Sequence, residues 1–169
     1  QRQMCIRDRL YNTYNTDSSV VNTVTWWNDG FYIGTDNGLY VSKDKNTNIK
    51  GRSITPVIDV LNGVRIRCLK EDSKGNLWIC TSRAGVYKLT TDGGVKKYDK
   101  SNGLNGELYR TVTELSDNTI LVAGDSGMSF IKDDDSVYNI GTQMINSKVL
   151  CTLQADDKTI FAGTDGNGI

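Results

Sequence analysis

The chain has 169 residues, 37% of them hydrophobic, and a mean hydropathy of −0.43, as expected of one globular domain; no apolar stretch approaches the roughly 20 residues that a membrane helix needs. Twenty basic residues balance 20 acidic ones, which excludes the electrostatic footprint of a nucleic-acid or anionic-membrane binder. No histidine occurs, so neither a Ser-His-Asp nor a Cys-His mechanism can be assembled within the chain.

The N-terminal stretch QRQMCIRDR shares no pattern with the rest of the chain, and its MCIRDR resembles the translated remnant of a sequencing adapter. Residues 1–10 are therefore expected to be non-native, with Cys5 an artefact, and 11–169 to be the folded segment. That segment opens on an apolar strand, VVNTVTWW (20–27), a polar turn at Asn28-Asp29-Gly30, and a second and third strand in DGFYIGTDNGLYV (29–41). The same order returns in GNLWICTSRAGVYKL (75–89), NTILVAGDSGMSFI (118–131) and KTIFAGTDGNGI (158–169). Aligned on Gly38, Gly85, Gly127 and Gly168, the copies lie 47, 42 and 41 residues apart. A strand-rich period in the forties is that of a propeller blade.

Each polar turn is preceded by an apolar strand, VRIRCLKE, YRTVTEL and KVLCTLQ in the later copies, and weaker fourth strands stand at VKKYD (95–99) and SVYNI (136–140). The second strands are apolar at neighbouring positions, Leu77-Trp78-Ile79 and Ile120-Leu121-Val122, which predicts that they are covered on both faces. The expectation is an all-β fold, a partial β-propeller of about three and a half four-stranded antiparallel blades, with blades roughly at 20–60, 64–100, 109–141 and, incomplete, 148–169. Blade faces left uncovered and an unpaired edge would make such a piece, expressed alone, poorly soluble or oligomeric.

Cys5, Cys68, Cys80 and Cys151 show no CxxC spacing. Cys68 and Cys151 occupy equivalent places in first strands, so they are expected to fill core. The protease-like GDSGMS (124–129) has no histidine to activate Ser126 and aligns with the turn Thr35-Asp36-Asn37-Gly38, which makes the serine a turn residue. DKNTNIKGRSIT (44–55) alternates oxygen ligands as a calcium loop does, but places Ile49 and Thr55 where that loop needs Gly and Glu. KDDDS (132–136) is expected to be a solvated turn, leaving no metal, cofactor or catalytic residue assigned. Trp78 occupies a repeat slot and is expected in core, whereas Trp26 and Trp27 should point to opposite faces of a strand; these two are the candidate ligand contacts.

The unit EDSKGNLWICTSRAGVYKL, with KKYDKSNGLNGELYRTV after it, resembles the repeat of two-component regulator propellers. Glu71, Asp72, Gly75, Asn76, Leu77, Trp78, Ile79, Thr81, Gly85, Tyr98, Asn102, Gly103 and Leu104 match that repeat. Cys80 takes a glycine slot, Gly124 a threonine slot, and Tyr32, Leu121 and Phe161 the tryptophan slot. Gly38, Gly75, Asn76, Trp78, Thr81, Gly85, Gly127 and Gly168 are thus read as structural repeat residues. The resemblance covers roughly 20–169 and implies a bacterial ligand-sensing, signal-transducing propeller outside the cytoplasmic membrane, tethered to it and joined to a histidine kinase or diguanylate cyclase. Its implied partners are an unidentified small molecule or glycan, further blades in cis and a second copy of the receptor, with no nucleic acid and no membrane insertion by this segment. A structural or protein-interaction propeller is the alternative. A carbohydrate-active propeller enzyme is less favoured, since the Asp-box spacing does not occur.

Overall fold

The computed structural model describes residues 19–43, 55–140, 147–166 and 168. The calcium-like loop (all but its last residue, Thr55), Cys5 and the adapter-like N-terminus lie outside these residues. The described residues form four antiparallel sheets, each built in chain order. The first contains β1 (Val21–Trp27), β2 (Gly30–Thr35), β3 (Gly38–Ser42) and β4 (Thr55–Pro56). The second contains β5 (Ile66–Glu71), β6 (Leu77–Thr81), β7 (Val86–Leu89) and β8 (Val95–Tyr98), and the third β9 (Tyr109–Glu114), β10 (Ile120–Gly124), β11 (Gly127–Ile131) and β12 (Val137–Ile140). A two-stranded sheet, β13 (Val149–Asp156) and β14 (Thr159–Thr164), completes the fold. The first strands of successive sheets, β1, β5, β9 and β13, lie against one another, as blades do around a propeller axis.

Packing is between neighbours. On β6, Leu77 and Ile79 turn back to a core shared with the first blade, while Trp78 and Cys80 turn forward to one shared with Tyr109, Val112 and Val122 of the third. Strand alternation thus divides one apolar run between two cores, and all of β6 and β10 is buried. β14 differs from this expectation: Phe161, in the tryptophan slot, is 49% exposed, because no described residue packs on the far face of β13 and β14. The cysteines divide likewise. Cys80 is buried and donates to the Thr111 carbonyl, Cys68 packs at the edge of the same core, and Cys151, expected in core, is exposed on the uncovered face. All three are free thiols.

The matched motifs acquire physical reasons. In a 3₁₀ turn at Lys100–Asn102, the Asp99 side chain accepts from the Ser101 amide while the Asn102 side chain accepts from the Asp99 amide, and Gly103 closes the turn in a left-handed conformation. This seats Leu104 in the core between the second and third blades. Gly85 has φ +78°, and a Cβ there would lie 2.2 Å from the Tyr98 carbonyl oxygen. Only glycine fits that approach. Gly124 departs from the threonine of the other copies for a similar reason, since a Cβ there would lie 2.1 Å from the Leu108 carbonyl oxygen.

Candidate functional site

Both ends of a blade carry polar groups, and the two ends are built differently. At the β5–β6 turn, Asp72 is buried and its carboxylate organises the loop. Oδ1 accepts from the amides of Lys74 (3.0 Å) and Asn76 (2.8 Å), and Oδ2 accepts from Asn76 Nδ2 (2.9 Å) and from the indole Trp78 Nε1 (2.7 Å). Burial alone would raise the Asp72 pKa, but these hydrogen bonds from Asn76, Trp78 and Lys74 prevail and hold it below the ordinary carboxylate value. Trp78 stacks on Tyr98 at 5.5 Å, and Lys88 Nζ lies over the indole at 5.5 Å from the ring centre. Gly75, Asn76 and Trp78 therefore form one closed structural unit, in which the indole is only 2% exposed and offers a ligand no open face.

The two candidate tryptophans separate as strand alternation requires. Of the two, Trp27 is the buried one: it turns into the core beside Tyr32, edge to face at 5.0 Å, and its Nε1 donates to the Gly75 carbonyl at 2.8 Å. Trp26 lies on the opposite face, 43% exposed and edge to face with Phe31. Its place in the register is shared by Glu114 and Gln154. There Glu114 accepts from the Ser73 amide and hydroxyl, and Gln154 from the Ser116 amide, so this slot ties a blade to the turn of the one before.

At the other end, the turns after β2, β6 and β14 share a device: Thr35, Thr81 and Thr164 donate through Oγ1 to the carbonyls of Gly38, Gly85 and Gly168 at 3.1, 2.8 and 2.7 Å. Gly127, in the corresponding turn of the third blade, also has positive φ. Ser126 sits in that turn, where its carbonyl accepts from Asn105 Nδ2. Beside these turns every first strand carries a β-bulge, between Val21 and Thr23, Ile66 and Cys68, Tyr109 and Thr111, and Val149 and Cys151. A bulge re-aims a side chain out of the two-residue alternation. The re-aimed residues are Asn22, Arg67, Arg110 and Leu150.

These bulges assemble a charged cluster that neither the repeat motif nor strand periodicity singles out. Asn22 Nδ2 donates to Asp36 Oδ1 at 2.8 Å, and Arg65 Nε approaches the same oxygen to 2.7 Å. Arg110 Nε donates to Asp125 Oδ1 at 2.7 Å. Arg67 lies within electrostatic reach of both pairs, yet among the described residues its Nε, like that of Arg65, is buried with no hydrogen-bond partner. Burial first, then the guanidinium groups of Arg65 and Arg110, pull the Arg67 pKa below the usual arginine value against Asp36 and Asp125; the side chain remains cationic. The acidic run KDDDS behaves as the solvated turn expected, with Asp133 paired to Lys74 and Asp135 to Lys96. Among the described residues no group of His, Cys, Asp and Glu side chains could hold a metal ion.

Residues 60–83, spanning β5, its turn and β6, match the family model described as two component regulator propeller. No curated relative matches the chain's sequence. Among solved structures, the extracellular domain of the putative hybrid two component system BT3049 from B. thetaiotaomicron superposes with a TM-score of 0.65 at 14% identity, over 86% of this chain and 22% of that one. The Neurospora crassa Pan2 WD40 domain gives 0.59 at 18% identity over 89% and 45%, and the extracellular domain of the putative one component system BT4673 from B. thetaiotaomicron gives 0.51 at 16% identity over 92% and 27%. The chain thus spans less than half the length of each of these solved chains. No helix among the described residues is long and apolar enough to cross a membrane. The match to the two component regulator propeller model at residues 60–83 thus falls in a partial β-propeller that, among the described residues, comprises three four-stranded blades and two strands of a fourth.

Proposed function

We propose that this chain is part of the extracytoplasmic, ligand-sensing region of a bacterial membrane receptor whose output is a histidine kinase or a diguanylate cyclase. One observation carries the reading: the family match falls on the blade turn whose geometry is most completely formed, Asp72 to Thr81, within a fold shared with extracellular domains of Bacteroides signalling systems. The segment itself is non-catalytic in this reading. Its contribution is to bind a small molecule or glycan and pass the change through further blades, or through a second copy of the receptor, to the output domain. The end of the blades bearing Arg65, Arg67 and Arg110 is the polar surface on which such a ligand would act.

The flanking reading frame supplies the test. A transmembrane helix followed by kinase or GGDEF residues is the expected finding. A stop codon soon after the last blade would remove the output and favour the protein-interaction alternative.

A further inference from the structure

We propose that the bulge end of the second blade is an oxyanion-binding site, in which Arg67 receives a carboxylate or sulfate group of the ligand; the site's role as a sensor rests on the function proposed above. The repeat supplies its own control. At the bulge, the first blade has Asn22, the second Arg67 and the third Arg110. One residue past the threonine slot, the same blades have Asp36, Ser82 and Asp125. In the first and third blades the two positions bond within the blade, Asn22 to Asp36 and Arg110 to Asp125. In the second blade an arginine is retained at the bulge while serine stands at the carboxylate position.

Among the described residues no neighbour makes up the deficit. Asp36 is already engaged by Asn22 and Arg65, and Asp125 by Arg110. Three guanidinium groups therefore share two carboxylates: Arg65 Nε is buried outside hydrogen-bond geometry but lies 2.7 Å from Asp36 Oδ1, whereas Arg67 Nε is buried with neither an ion pair nor a hydrogen bond among the described residues. Arg67 is half-buried, so the unpartnered Nε–H is a small net loss rather than a buried charge, but methionine or leucine would fill the same space without it. What arginine alone offers there is a rigid fork of donors matched to a planar or tetrahedral oxyanion, made more favourable by the flanking Arg65 and Arg110.

The test titrates the full chain with sodium sulfate and, separately, sodium acetate, against sodium chloride at equal ionic strength, and monitors the Arg67 Nε–Hε resonance by ¹⁵N NMR. The expected result is a saturable shift of that resonance in the wild type, with the stronger of the two anions naming the ligand's charged group. Ser82→Asp supplies the missing intramolecular carboxylate and is expected to weaken anion binding by about tenfold or more while leaving the amide spectrum in place. A wild type that does not saturate with either anion, or a Ser82→Asp variant that binds as the wild type does, overturns the proposal. If Ser82→Asp does not fold, calorimetric titration of Arg67→Gln decides, because retained anion binding there would equally overturn it. The sensor role separates cleanly from the site: loss of anion binding in Ser82→Asp with unchanged signalling by the full-length receptor defeats the first and leaves the second standing.

Discussion

The two ends of the second blade are separated by the six residues of β5, roughly 20 Å of strand, and they obey opposite rules. At the Asp72 end four donors converge on one carboxylate, and the turn is closed on itself. At the Arg67 end the third blade is closed in the same sense, by Arg110 and Asp125, while the second is left with a buried donor and no acceptor among the described residues. The residues that match the family repeat are those that complete internal hydrogen bonding. The residues that differ between blades are those that leave it incomplete. In a repeat protein, function is thus to be sought in the differences between copies at one structural position, and stability in what they share.

The largest test of this division is Gly85→Ala. The added Cβ meets the Tyr98 carbonyl at 2.2 Å and the backbone must keep φ near +78°, so the expected loss of stability is on the order of 3 kcal/mol or more. The urea midpoint of the full chain measures it. Gly75 has the same φ but nothing within 4 Å of an added Cβ, and Gly75→Ala should cost only about 1 kcal/mol. Equal losses at the two glycines would show that conformation, not the close approach, governs the slot.

Asp72→Ala is next in size, at about 2 to 3 kcal/mol, because it strands the buried Trp78 indole N–H together with the Asn76 donors. Its pH dependence has a definite sign. The folded pKa of Asp72 lies below the ordinary value of 3.8, so its contribution is fully present above that value and is lost as pH falls through the folded one. The gap between wild type and Asp72→Ala in urea midpoint should therefore be wide at neutral pH and narrow progressively as the pH is taken below 3.8. A gap that stays constant with pH would mean that the carboxylate charge contributes nothing to the turn.

Whether a feature is legible in the sequence depends on the distance over which its cause acts. The 47-, 42- and 41-residue period, the two-sided burial of β6 and the opposed faces of Trp26 and Trp27 are local consequences of strand alternation and turn chemistry, and the sequence displays them directly. Which of the two tryptophans is inside is not legible, because it depends on Tyr32 and on the Gly75 carbonyl, 48 residues away in the next blade. The exposure of Cys151 depends equally on a neighbouring surface rather than on its own strand. Arg67 and Arg110 are hidden because a bulge breaks the two-residue alternation at each of them, so their faces cannot be counted from the adjacent residues. The signal that points to them is the column formed by Asp36, Ser82, Asp125 and Asp165, which emerges once the copies are aligned on the threonine slot instead of on the glycines.

The smallest expected effect discriminates most finely between the two arginines. Arg110→Gln removes a partly buried ion pair and leaves Asp125 without its partner, at an expected cost of about 1 kcal/mol. Arg67→Gln removes a side chain that satisfies no acceptor, so its effect on stability should fall within about 0.5 kcal/mol of zero and be as readily positive as negative. Urea midpoints at low salt, where the Arg110 pair is screened least, give the widest separation between the variants. If Arg67→Gln costs as much as Arg110→Gln, then Arg67 is held by an interaction equal to that ion pair, and the asymmetry between the second and third blades is structural rather than functional. If only Arg110→Gln is costly, the second blade retains an arginine that the fold does not need.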